Sequence, residues 1–173
     1  RMSTLLKPRS IVVVGASADP RSFGGFVQGN LERYGYDGVL HLVSRSSAEI
    51  NGRACVKTID ELPAGIDLAV LAIPESGVLD AVKALAARRC KAAVLFASGY
   101  AEAGEAGQHK QAELARVAQE VGILLVGPNC MGFTNLAAGI PVTFEPLTAR
   151  PTAPRPGVST TLRQSSSFFS KIS

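Results

Sequence analysis

Five short apolar runs recur along the chain: Ile11–Val14, Val39–Val43, Asp67–Ile73, Lys91–Ala97 and Ile123–Val126. They are rich in β-branched and aliphatic residues and show little polar alternation. Such runs suit strands covered on both faces, the situation in a parallel sheet with helices packed above and below. Stretches with helical spacing separate them. Phe23–Tyr34, Glu75–Arg89 and Gln108–Val121 each gather apolar residues on one face, as Val78, Val82, Leu85 and Ala86 do in the second. This alternation predicts an α/β fold, a Rossmann-like doubly wound and mostly parallel sheet of five or more strands. Ligands of such sheets bind beyond the carboxyl ends of the strands, where the strand order reverses.

Every run closes on a small, polar or proline-bearing turn: Gly15–Ser17, Ser44–Ser46, Pro74, Ser98–Tyr100 and Gly127–Met131. The first is the most informative. Ile11–Asn30 gives strand, small-residue turn and helix in succession, with Ser22 placed as an N-cap. A turn of this kind presents backbone N–H groups and the positive end of a helix to an anion, usually a phosphate. The dinucleotide fingerprint asks for glycine at its first, third and sixth positions, and these hold Gly15, Ser17 and Pro20. A tight turn without a ligand is the alternative. The second run ends in Ser44 and Arg45, with no Asp or Glu to hold ribose hydroxyls. A hydroxyl and a guanidinium there suit the ribose-proximal phosphate of NADP or coenzyme A, against a simply solvated strand-end charge.

Composition narrows the function classes. With 173 residues the chain suits one domain, or one and part of another. It has no tryptophan, so an aliphatic core is expected. The net charge of +4 is scattered, with no basic stripe interleaved with aromatics, and nucleic-acid binding is not indicated. Cys55, Cys90 and Cys130 are odd in number and far apart, which argues against a disulfide framework or a zinc site and suits a reducing, cytoplasmic setting. No run approaches the ~20 apolar residues of a membrane span, and no secretory signal is visible. Residues 1–10 are expected as a polar lead-in, 101–107 as a loop and 127–132 as a rigid turn. Thr58–Leu62 is expected as a helical turn and Ile140–Phe144 as a last strand. From Pro146 the character changes to a linker with Pro151, Pro154, Pro156, Arg150 and Arg155, followed by a Ser-rich end without a clear element. The expected division is a binding domain over 1–147, then a linker and the truncated or altered start of a following domain over 148–173.

Gly15–Ser17, Ile73–Pro74, Ser98-Gly99-Tyr100-Ala101-Glu102-Ala103-Gly104-Glu105 and Gly127-Pro128-Asn129-Cys130-Met131-Gly132 together carry a resemblance. Over roughly residues 8–147 the chain resembles the CoA-binding domain of the NDP-forming acyl-CoA synthetases, the superfamily of succinyl-CoA synthetase α subunits and ADP-forming acetyl-CoA synthetases. The resemblance implies that Gly15, Ala16, Ser17 and Ser22 hold the CoA pyrophosphate. It implies Ser44 and Arg45 near the adenosine 3′-phosphate, and Ile73, Pro74 and Glu75 along the adenine or pantetheine path. Ser98 and Gly99 would follow the pantetheine arm, with Asn129, Cys130 and Met131 near its thiol. Cys130 also reads as a small buried residue, and no base for a nucleophilic role is evident. His41 lies inside the second run and His109 at a helix start, so neither matches the family's phosphorylated histidine. The resemblance therefore implies CoA as the ligand and, as partners, a catalytic-histidine domain and an ATP-grasp domain in the same or a separate chain. It implies part of a cytoplasmic acid–thiol ligase, with ATP used elsewhere, no catalytic residue here and a homo-oligomer possible. A regulatory CoA-binding module, an acetyltransferase-fused domain and an NADP-dependent oxidoreductase fragment are the alternatives.

Overall fold

The computed structural model describes residues 2–135, 137–147 and 161–164. In chain order the elements are α1 (Met2–Leu6), β1 (Ser10–Val14), α2 (Phe23–Arg33), β2 (Val39–Val43), β3 (Glu49–Ile50) and β4 (Arg53–Val56). They continue with β5 (Leu68–Leu71), α3 (Val78–Ala87), β6 (Ala92–Leu95), α4 (Glu105–Glu120) and β7 (Leu124–Val126). Last come β8 (Cys130–Asn135), β9 (Ile140–Thr143) and β10 (Thr161–Gln164).

A seven-stranded sheet in the order β3-β4-β2-β1-β5-β6-β7 forms the centre, parallel throughout except for the β3–β4 pair. The expected doubly wound α/β sheet is therefore present. Its central strands β1, β5 and β6 are buried on both faces. Val12, Val14, Ala69, Leu71, Ala93 and Leu95 pack with Val78, Val82 and Leu85 of α3 and Leu114 and Ala118 of α4. Ile11, Val13, Leu68, Val70 and Val94 face the other way, onto Val27 and Leu31 of α2 and Phe133 and Val142 of β8 and β9. This two-sided burial is why the runs lack alternation. Asp67 ties the amino ends together. Its carboxylate accepts from the Arg9 amide at 2.9 Å and from Lys91 Nζ at 2.6 Å, while its own amide donates to Ser10 Oγ at 3.0 Å.

Four local expectations change. The lead-in contains α1, because Leu5 is buried beneath the sheet and the Leu6 carbonyl accepts from Asn135 Nδ2 at 3.0 Å. Asn51 and Gly52, both with positive φ, form the turn that closes a β3–β4 hairpin. The segment 101–107 is a short 3-10 turn followed by the start of α4 at Glu105. Gly107 belongs inside that helix, where a Cβ would run into the Tyr100 carbonyl. The turn after β7 is shorter than expected, since β8 starts at Cys130 and pairs antiparallel with β9. Gly132, which suggests a turn, sits within β8 with φ +88°, where the backbone of Val142 leaves no room for a side chain. Within the Ser-rich end, Thr161–Gln164 forms β10 alongside β8. Residues 148–160, expected as a linker, and those after 164 lie outside the described residues.

Candidate functional site

The strand order reverses at β1. The chain runs outward from β1 through β2 and β4, then returns to the other side of β1 as β5 and continues to β6 and β7. Two clefts open there, at the carboxyl ends of the strands, and share Ala72, Ile73 and Pro74 as a common wall. The larger, about 650 Å³, is bounded by Gly15 and Ala16 after β1, Ser44–Ser46 after β2, Lys57–Asp60 after β4 and the start of α3. The smaller, about 360 Å³, is bounded by Phe23, Glu75, Ala97 and Ser98.

Gly15 has φ +89°, and a Cβ there would strike the Ala72 carbonyl. Glycine lets the turn lie flat between two strand ends, with the Gly15 and Ala16 amides both donating to Val43 O at 3.1 and 3.0 Å. Ser22 caps α2: its hydroxyl accepts from the Gly25 amide at 3.1 Å and donates to Asp19 O at 2.8 Å. Ser17 Oγ accepts from the Asp19 amide at 3.1 Å. The two hydroxyls shape the turn and do not line either cleft. Gly24 presses against the turn so closely that a Cβ would overlap the Gly15 carbonyl. The amino end of α2 is thus seated directly on the turn after β1.

The β2 end is basic and hydroxyl-rich. Ser44 is buried, and its Oγ accepts from the Ser47 amide at 3.2 Å. Arg45 is exposed at the cleft mouth and has no ion pair among the described residues. Lys57 stands beside it, donating from Nζ to Arg45 O at 3.4 Å and Ser47 O at 3.1 Å. Past the shared wall, Glu75 is held by Lys110 Nζ at 3.1 Å. Gly99, with φ +97°, donates to Glu102 Oε1 at 2.5 Å, which folds the Ser98–Tyr100 turn back on itself. Burial pushes the Tyr100 hydroxyl up to about 12, with Glu75 and Glu102 adding to the effect.

The last turn is cis at Gly127–Pro128, and the Asn129 amide donates to Ala97 O at 3.0 Å. Cys130 is buried and donates from Sγ to Leu95 O at 3.2 Å. Burial pushes its thiol above the ordinary range. The Met131 carbonyl accepts from Thr143 Oγ1 at 2.7 Å. Of the residues singled out from sequence, Gly15, Ala16, Ser44, Arg45, Ile73 and Pro74 meet on the larger cleft, and Ile73, Pro74, Glu75 and Ser98 on the smaller. Ser17, Ser22, Gly99 and Asn129 lie in the adjoining turns, and Cys130 and Met131 open β8. Lys57 was missed because Arg53–Val56 was too short to read as a strand with a functional carboxyl end. Phe23 and Gly24 were missed because their roles depend on what α2 touches. His41 is half-buried in β2, where burial lowers its pKa, and His109 is exposed on α4. Among the described residues no cluster of His, Cys, Asp or Glu could hold a metal, and no helix is long and apolar enough to cross a membrane.

Residues 9–135 match the model of the CoA binding domain family. The chain is 42% identical over 144 residues to a trans-feruloyl-CoA synthase of an unknown prokaryotic organism, covering 83% of this chain and 20% of that protein. It is 34% identical over 137 residues to the alpha subunit of acetate–CoA ligase (ADP-forming) II of Pyrococcus furiosus, covering 79% and 30%. A solved structure of dinucleotide-forming acetyl-coenzyme A synthetase 1 of Candidatus Korarchaeum cryptofilum superposes with a TM-score of 0.80 at 32% identity, over 84% of this chain and 31% of that one. The chain spans 20 and 30% of the length of these two curated relatives. The match over residues 9–135, most of the chain, shows that it belongs to the CoA binding domain family.

Proposed function

We propose that this chain is the CoA-holding part of an NDP-forming acyl-CoA synthetase, which joins an acid, CoA and ATP into acyl-CoA, ADP and phosphate. The observation that carries this is the pair of clefts on one shared wall. The larger carries Arg45, Lys57 and hydroxyls at the β2 and β4 ends, with Asp60 and Asp80 also in its lining, and the smaller sets Phe23, Ile73, Pro74 and Ala97 beside Glu75 and Ser98, which suits a phosphate-bearing half and a linear arm of CoA. The adenosine 3′-phosphate sits by Arg45 and Lys57, with Ser44 shaping the mouth. The pyrophosphate lies on the turn from Gly15 through Ala16 to Ser17, below the Ser22-capped end of α2. The arm passes Ile73, Pro74 and Glu75 toward Ser98 and Gly99, and the thiol points toward Asn129, Cys130 and Met131.

This chain's residues bind and aim. The CoA sulfur attacks the carbonyl carbon of an acyl phosphate, the C–O bond to phosphate breaks, and phosphate leaves as the thioester forms. The acyl phosphate is made by a catalytic-histidine domain and an ATP-grasp domain outside this chain, in the same or another polypeptide. Cys130 takes no covalent part, since its thiol is buried and bonded to the end of β6. The relatives are ligases, which favours neither the oxidoreductase nor the acetyltransferase-fused alternative.

Calorimetric titration with CoA, 3′-dephospho-CoA, NADP and NAD tests the reading. A guanidinium–phosphate contact is worth roughly 1.5–3 kcal/mol, so CoA should bind about tenfold or more tightly than its dephospho form. Arg45→Ala should close most of that gap. Saturable NADP binding with no response to CoA would refute the proposal.

A further inference from the structure

Phe23 is 48% exposed, one of three large apolar side chains so exposed among the described residues. It occupies the first position of α2, where an aromatic ring adds little to helix stability. Its orientation is nonetheless fixed. The ring lies tilted against Phe144 with centroids 4.6 Å apart and meets Phe96 edge-on at 6.1 Å. Phe96 and Phe144 are themselves edge to face at 5.0 Å. Two rings therefore hold the third in place, and its open side forms a wall of the smaller cleft opposite Ile73 and Pro74. This cleft continues from the charged one along Ala72–Pro74 and offers two polar side chains, Glu75 and Ser98. A phosphate would gain nothing from such walls. A linear arm with a dimethyl-branched carbon and a few amides would gain apolar burial from the ring and the proline, with its amides turned to the polar pair.

We infer that Phe23, braced by Phe96 and Phe144, is a positioning residue that clamps the pantetheine arm of CoA and so aims the thiol. The inference rests on the CoA reading above. Phe144 follows β9 directly, so the brace comes from the segment after the last strand of the β8–β9 pair. That segment is also gripped by α2 through Asn30, whose Nδ2 donates to Thr143 O and Glu145 O at 2.9 Å each.

The test compares CoA with adenosine 3′,5′-bisphosphate, which keeps the adenosine and its 3′-phosphate but has no arm. Phe23→Ala should weaken CoA binding about tenfold and leave the bisphosphate within about twofold. Both titrations use the same sample, so any loss of folded protein lowers both stoichiometries and leaves the ratio of affinities intact. Phe23→Leu, which keeps apolar bulk without the ring, should fall between. Equal weakening of both ligands would mean that Phe23 acts through the phosphate turn and would overturn the inference. Unchanged CoA affinity in Phe23→Ala would overturn it as well. A wild-type chain that binds no CoA would instead refute the underlying reading, and the clamp with it.

Discussion

Gly24 and Gly29 offer one substitution with opposite expected outcomes on the same helix. Neither has a positive φ, so alanine is conformationally allowed at both. At Gly24 a Cβ would lie closer than 3.0 Å to the Gly15 carbonyl oxygen, with Gly15 C at 3.1 Å and Ala16 Cα at 3.2 Å. All three are backbone atoms, so no rotamer change relieves the clash, and α2 must back away from the turn. Overpacking of this kind costs about 1–3 kcal/mol. With only backbone to yield, the cost lies in the upper half of that range; alanine returns at most about 1 kcal/mol of helix propensity, which leaves Gly24→Ala destabilised by about 1–2 kcal/mol. At Gly29 nothing lies within 4 Å of the added Cβ, so the propensity gain stands alone, about 0.5–1 kcal/mol of stabilisation. Urea melts should show the two variants moving to opposite sides of the parent at unchanged slope, and thermal midpoints should separate by about 5–10 °C. Gly24→Ala should also weaken CoA binding, since the turn is displaced. A Gly24→Ala chain as stable as the parent, or a common shift in both variants, would refute the claim that α2 is seated in contact with the turn.

Two further outcomes concern what holds the domain together. Burial alone would raise the Asp67 pKa, but Lys91 and the Arg9 amide outweigh it and hold the carboxyl below the ordinary aspartate value. Its contribution is therefore fully present above the unfolded-state pKa of about 4 and disappears as the pH falls through the lower folded value. Asp67→Asn should cost about 2 kcal/mol at pH 7, and the difference from wild type in urea midpoints should close in acid; a constant difference down to pH 2 would count against the pairing. Asn30→Ala removes two hydrogen bonds from a buried side chain, and should cost about 2 kcal/mol and speed amide exchange in β9 more than in β5. Uniform exchange across both strands would show that Asn30 does not anchor the end of β9.

How much of this was written in the sequence depends on the range of the interaction. The strands of the sheet centre were readable because burial on both faces leaves a local mark: Val12 and Val14 meet α3 and α4 while Ile11 and Val13 meet α2, so every position is apolar. Arg45 was readable because the end of a strand and the chemistry there are adjacent in the chain. Lys57 was not, because its relevance depends on β4 pairing beside β2, a pairing of two short strands. Nor was α1, since its Leu6 carbonyl is held by Asn135, 129 positions away.

Gly24 shows the limit most clearly. The dinucleotide fingerprint fails at Ser17 and Pro20, and by spacing alone the turn looks ordinary. The physical demand behind the final fingerprint glycine is close packing of the helix on the strand and its turn. That demand is met here by Gly24, which the longer Ser17–Ser22 loop carries to the position where α2 touches the Gly15 carbonyl. Gly25 meets a second demand of the same kind, since a Cβ there would strike the Asp19 carbonyl. The inserted loop therefore moves the glycines along the chain without relaxing the contact, so a spacing rule misses them while the close-approach requirement remains satisfied.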